Sequence, residues 1–146
     1  VLHHAHAFVG TALVEIFQNC IVYNEDVFAN FTERKNAANT QLHLKHGEPM
    51  LFGEDNGSGI SFNRDTWSLE AIDAIASPDD VLVHDEGNAI VARMLIDLHL
   101  PVALGVIYRQ PAVSYEDTFY GHHPSRMQRK KSVRDFIKGP NSWTVE

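Results

Sequence analysis

Short apolar runs separated by polar turns set the rhythm of this chain. Residues 12–17 are apolar or β-forming apart from Glu15, the pattern of a strand buried on both faces of a parallel sheet. Gly10 and Thr11 supply the turn into it from a preceding helix, on which Leu2, Ala5 and Phe8 share a face. Asn19 and Cys20 then fall at the carboxyl end of that strand, where open α/β sheets keep their ligand sites. After Ile21, Val22, Tyr23 and Asn24, the acidic pair Glu25-Asp26 suits the start of a short helix running through Phe31.

The pattern changes beyond this point. Residues 32–40 are polar and fit no single element, whereas 41–46 alternates, with Leu42 and Leu44 on one face of a strand. Gly47-Glu48-Pro49 breaks it. Met50-Leu51-Phe52 and Ile60-Ser61-Phe62 flank the turn signal Asp55-Asn56-Gly57-Ser58-Gly59, which predicts an antiparallel hairpin away from the parallel core. Residues 67–75 suit strand and helix equally. Val81-Leu82-Val83-His84 predicts a strand, and residues 88–99 a helix with Ile90, Val91, Met94, Leu95 and Leu98 on its apolar face. A second buried strand follows Pro101, over 102–108, so that 81–108 predicts a βαβ crossover. A helix over 125–138, stopped by Gly139-Pro140, and a terminal extended segment at 142–145 complete an α/β reading.

Composition narrows the function classes. A net charge of −7 argues against a nucleic-acid surface, and 44% apolar residues is ordinary for a globular domain. Half of the 12 lysines and arginines lie at 126, 129, 130, 131, 134 and 138, on one amphipathic helix, either a solvated surface or a dock for an acidic partner. No apolar run approaches the ~18 residues of a membrane span. The single cysteine excludes an internal disulfide and fits a reducing, cytoplasmic setting.

Two readings of Cys20 stand side by side: a small apolar side chain in a core, or a thiolate ligand for iron or zinc. A cluster needs four such ligands, so three would have to come from outside these residues. The histidine groups His3/His6, His43/His46 and His122/His123 lack the spacing of a zinc site and read as exposed or capping side chains. The paired acids, Asp85-Glu86 among them, read as caps and turns. Common phosphate-binding and nucleophile motifs do not occur.

Several segments in order carry a family likeness. Residues 10–20, followed by Val22-Tyr23-Asn24-Glu25-Asp26-Val27-Phe28, resemble the end of the thiamine-binding domain in the β subunit of 2-oxoacid:ferredoxin oxidoreductases. The resemblance continues through His46-Gly47-Glu48-Pro49-Met50-Leu51-Phe52-Gly53, Leu82-Val83-His84-Asp85-Glu86, Pro101-Val102-Ala103-Leu104-Gly105-Val106 and the closing Ser142-Trp143-Thr144-Val145-Glu146. The His-Gly-Glu-Pro-Met segment and the Trp-Thr-Val ending look most like the 2-oxoglutarate branch, with pyruvate the nearest alternative substrate.

The resemblance implies a subunit that holds thiamine diphosphate, Mg2+ and a 4Fe-4S cluster, decarboxylates a 2-oxoacid to an acyl-coenzyme A, and passes electrons to ferredoxin. It implies a partner α subunit. It matches Cys20 to a cluster-ligating cysteine, and so favours the metal-ligand reading of that residue. The family's Gly-Asp-Gly-Asp motif and its other cluster cysteines would lie upstream of Val1. The chain is thus expected to be the carboxyl-terminal portion of the subunit. Residues 1–24 would close the thiamine-diphosphate-binding domain, and 25–146 would form the β-subunit carboxyl-terminal domain. A strand at 12–17 would lack its neighbours in this chain alone, and neither cofactor would be completely bound. The rival expectation is a non-catalytic domain that docks the partner subunit or ferredoxin, with the basic helix as its contact surface.

Overall fold

The computed structural model describes residues 1–122. The basic helix expected at 125–138 and the extended segment at 142–145 lie outside them. The chain divides into two compact units. The first comprises Val1–Phe8 and Ala12–Gln110, the second Val9–Thr11 and Pro111–Glu146.

The first unit begins with helix α1 (Leu2–Ala7). Two short helices follow, α2 (Ala29–Thr32) and α3 (Arg34–Thr40), the latter in the segment that the hydrophobic pattern left unassigned. Strand β1 (Gln41–His43) pairs in parallel with β5 (Val102–Leu104), in the register Leu42 to Ala103. Between them in sequence lies an antiparallel sheet, β2 (Leu51–Phe52), β3 (Ser58–Asn63) and β4 (Ser68–Asp73), in that order. Parallel and antiparallel pairs together bear out the α/β class.

Several elements differ from expectation, each for a physical reason. Residues 12–17 form no strand; Leu13 is 97% exposed and Ile16 69%. An apolar run becomes a buried strand only where neighbours bond its backbone and cover its faces, and among the described residues no strand pairs with this segment. The predicted βαβ unit is also rearranged. Residues 81–84 are extended but do not pair with β5, whose parallel partner is β1. They thread between the turn after β1 and strand β3. Met50 N donates to Leu82 O at 2.9 Å, Leu82 N to Ile60 O at 2.8 Å, and His84 N to Glu48 O at 2.9 Å. The second predicted strand ends at Leu104 instead of continuing to Tyr108.

The hairpin forms as the turn signal predicts, with Leu51 opposite Gly59 and Phe52 opposite Ser58. Asp55 and Asn56 both take the left-handed backbone at φ 56°, a conformation these short polar residues tolerate. The ambiguous 67–75 segment resolves as β4, because Leu69 and Ile72 find cross-strand partners on β3. The hairpin does not lie away from the parallel pair. Leu42 and Leu44 from the β1 segment, Met50, Ile60, Leu69 and Leu95 share one buried cluster. Alternation explains it: Leu42 (fully buried) and Leu44 point to the same side, onto Met50 and Ile60.

Helix α4 (Ala89–Asp97) covers this cluster. Its inward face is Val91, Ala92, Met94 and Leu95, with Leu98 just beyond. Ile90, expected on that face, is 70% exposed. The helix starts at Asn88, whose side chain accepts from Ile90 N and Val91 N, both at 3.1 Å. These bonds satisfy two of the four amides that a helix start leaves unpaired. Replacing Asn88 with alanine is expected to lower stability by about 1 kcal/mol in a urea titration. A loss below roughly 0.3 kcal/mol would show the cap to be idle.

In the second unit, helix α5 (Tyr115–His122) begins after Ser114. The Ser114 hydroxyl accepts from Asp117 N at 3.0 Å and donates to the Asp117 carboxylate at 2.8 Å, a reciprocal cap. Among the described residues, no helix is long and apolar enough to cross a membrane.

Candidate functional site

Cys20 sits on a tight loop at the surface of the first unit. It forms an isolated antiparallel bridge with Asn24, with Asn24 N donating to Cys20 O at 2.9 Å and Cys20 N to Asn24 O at 3.2 Å. The residues between, Ile21, Val22 and Tyr23, are exposed at 82%, 72% and 91%. Cys20 itself is exposed, so the structure places it at a loop tip and not in a core. The main-chain N–H of Val22, and next that of Tyr23, stabilise its thiolate, with a weaker contribution from Asn24. Slight desolvation works the other way, and the net effect holds the thiol below its ordinary value.

The chemistry of this donor fits a metal ligand. Thiolates, not thiols, bind iron and zinc, and main-chain N–H groups around a cysteine sulfur are a recognised influence on cluster potential. Cys20 offers a single sulfur donor. Among the described residues, no three His, Cys, Asp or Glu side chains come together as a metal site. Cys20 is the one cysteine of the chain, so its alkylation can be followed site-specifically. The pH midpoint of its alkylation rate by iodoacetamide is expected below that of a free thiol. A midpoint at or above the free-thiol value would contradict the loop geometry.

The second cluster forms where three sequence-distant segments meet. His84 is 1% exposed and donates its Nε2–H to Val106 O at 2.9 Å. Gly47 N in turn donates to His84 O at 2.8 Å. Glu86, 8% exposed, faces the Arg109 guanidinium in a close ion pair not aligned as a hydrogen bond. Arg109 N also donates to Glu86 O at 2.8 Å. His46 Nδ1 accepts from Glu86 N at 3.2 Å, which places the imidazole proton on Nε2. Glu86 is therefore not the helix cap that its neighbour pair led one to expect; Asn88 has that role. A charge this buried needs a partner, and Arg109 provides it.

These contacts join 46–50, 82–86 and 101–106, three of the segments that carry the family likeness. The pattern reading singled out neither His84 nor Arg109 as a special residue. Only the apolar neighbours of His84 in sequence signalled its burial. The outward residues of the first segment have a different environment. Lys45 and Glu48 form a surface ion pair at 3.3 Å and, with Gln41, His43 and Phe52, line an open groove of about 440 Å³.

Comparison with known proteins gives an end-to-end match. Over its whole length, this chain is similar to an oxidoreductase subunit. The relative is the 2-oxoglutarate oxidoreductase subunit KorB of Mycobacterium tuberculosis (strain ATCC 25618 / H37Rv), 26% identical over 157 aligned residues. The match covers 100% of this chain and 41% of KorB, so the chain spans about two fifths of that relative's length. No family model matches the chain, and no solved structure matches it. By its description, KorB is a subunit of a 2-oxoglutarate oxidoreductase.

Proposed function

We propose that this chain is part of the β subunit of a 2-oxoacid:ferredoxin oxidoreductase acting on 2-oxoglutarate. The observation that carries the reading is the similarity to KorB along the entire chain. In this reading, residues 1–24 close the domain that holds thiamine diphosphate and Mg2+, and residues 25–146 form the subunit's carboxyl-terminal domain. Cys20 is one of four thiolate ligands to a 4Fe-4S cluster, the other three lying elsewhere in the subunit.

The overall reaction breaks the bond between the carboxylate and the keto carbon and the S–H bond of coenzyme A, releases CO2 and a proton, and joins the acyl carbon to the coenzyme A sulfur. Two electrons leave and reduce two equivalents of ferredoxin. When bound, thiamine diphosphate supplies the electron sink for carbanion chemistry and the cluster a one-electron path. This chain's contribution is orientation. It presents a sulfur on a short surface loop, with main-chain N–H groups that favour its charged form.

The test uses the complete β subunit assembled with its partner α subunit. Ferredoxin reduction is followed with 2-oxoglutarate and coenzyme A, each also omitted in turn. The reading expects reduction that needs both and is faster than with pyruvate. Faster turnover of pyruvate would keep the reaction class and overturn the substrate. An assembled, iron-loaded complex that reduces no acceptor with any 2-oxoacid would overturn the reading in favour of a docking domain.

A further inference from the structure

The loop that carries Cys20 is held at its base by three aromatic rings. Phe17 precedes it and Phe28 follows it, and their ring centroids stand 5.3 Å apart at 67°. Phe31, on α2, meets Phe17 at 5.2 Å and 79° and Phe28 at 5.6 Å. All three separations lie in the range of favourable edge-to-face and tilted ring pairs. Phe31 is 7% exposed, and its carbonyl accepts from Gln41 Nε2 at 2.8 Å. Gln41 belongs to β1 and pairs with Val102 of β5. A continuous physical path therefore runs from the parallel strand pair, through Gln41 and Phe31, to both legs of the loop.

The loop has little else to fix it. Its tip residues are open to solvent, and Val27, next to Phe28, is 47% exposed. The Cys20 to Asn24 bridge sets the shape of the tip but ties it to nothing outside the loop. A ligand on such a tip has a defined position only if the two strands below it are clamped.

We propose that Phe17, Phe28 and Phe31 are the positioning element of this site: they hold Cys20 in place relative to the core, so that its sulfur meets the cluster without reordering the loop. This rests on the reading of Cys20 as a cluster ligand made above. Preorganisation of this kind is what supporting residues around metal ligands provide. The three phenylalanines touch no reacting group.

Phe17 is the ring to change, because it is 38% exposed and lies outside the main core cluster. Phe17→Ala is compared with Phe17→Tyr, which keeps the ring, by amide hydrogen exchange on the intact chain. The alanine variant is expected to speed exchange at Cys20 and Asn24 by about tenfold or more, as local opening requires. Exchange at Ile60 and Leu82, hydrogen-bonded within the core, should stay unchanged, and the tyrosine variant should restore protection at the loop. If the alanine variant also loosens Ile60, Phe28→Ala is measured in its place. Unchanged exchange at Cys20 and Asn24 in a variant with an intact core overturns the proposal.

A second readout separates this outcome from the reading beneath it. In the complete iron-loaded subunit, the Phe17→Ala variant should release iron to a chelator several-fold faster, with rescue by Phe17→Tyr. A loosened loop with unaltered iron release would uphold the clamp and refute Cys20 as a ligand. Altered iron release with an unloosened loop would refute the clamp.

Discussion

Replacing Cys20 with serine in the complete oxidoreductase is expected to lower 2-oxoacid-driven ferredoxin reduction by about a hundredfold or more. Outer-shell partners of metal ligands already cost roughly 10- to 100-fold when removed, and a ligand itself should cost at least as much. Serine nearly preserves size, so the loop has no steric reason to move. Its hydroxyl is a much poorer donor to iron than a thiolate. Thiamine diphosphate content should be unchanged, because no described residue is assigned to that cofactor. Turnover within a factor of about two of wild type, at full iron content, would remove Cys20 from the site.

The largest stability effect is expected at Gly105, just after β5. Its φ is +136°, and a Cβ there would lie 2.8 Å from the Leu44 carbonyl oxygen and 3.2 Å from Leu44 Cβ. Both obstacles belong to a segment that is hydrogen-bonded to β5, since Leu44 N donates to Leu104 O at 2.8 Å. The backbone cannot step aside without breaking the parallel pair. Strained backbone costs about 1–3 kcal/mol and an overpacked core a similar amount. Gly105→Ala should therefore lose about 2–5 kcal/mol in a urea titration. Gly59 offers the contrast. A Cβ there would meet both Val81 methyls, Cγ2 at 2.7 Å and Cγ1 at 3.1 Å, but these are side-chain atoms and Gly59 lacks the left-handed φ that adds backbone strain at Gly105. Gly59→Ala should cost less than Gly105→Ala, and the reverse order would contradict this account of β5.

How much of this was legible in the sequence depended on the range of the interaction. The hairpin was legible because its signal is local: Asp55 and Asn56 accept left-handed backbone, and the apolar triplets flank them. Leu42 and Leu44 were legible from alternation, and α4 from its 3.6-residue period. Helix α3 was not, because Arg34, Lys35, Asn36 and Asn39 leave no apolar stripe to detect. The β1 to β5 pairing was hidden for another reason. It joins positions about sixty residues apart, and no local pattern distinguishes that partner from residues 81–84.

The sites divide in the same way. Cys20 was singled out from its motif, but its loop was read as a strand end, because apolar side chains there implied burial. The exposure of Leu13, Ile16 and Ile21 shows that composition alone does not bury a segment. The ion pair of Glu86 and Arg109 needed three dimensions: twenty-three positions separate them, and an acid next to a helix start reads as a cap. The aromatic clamp, with Phe17 eleven positions from Phe28, has no periodicity at all.

One measurement bears on the central claim most directly: an experimental structure of the intact, iron-loaded β subunit in complex with its α partner. The account predicts density for an iron atom bonded to Cys20 Sγ, on a loop whose base is still closed by Phe17, Phe28 and Phe31. A Cys20 sulfur surrounded only by carbon, with every iron of the subunit held by other residues, would contradict it.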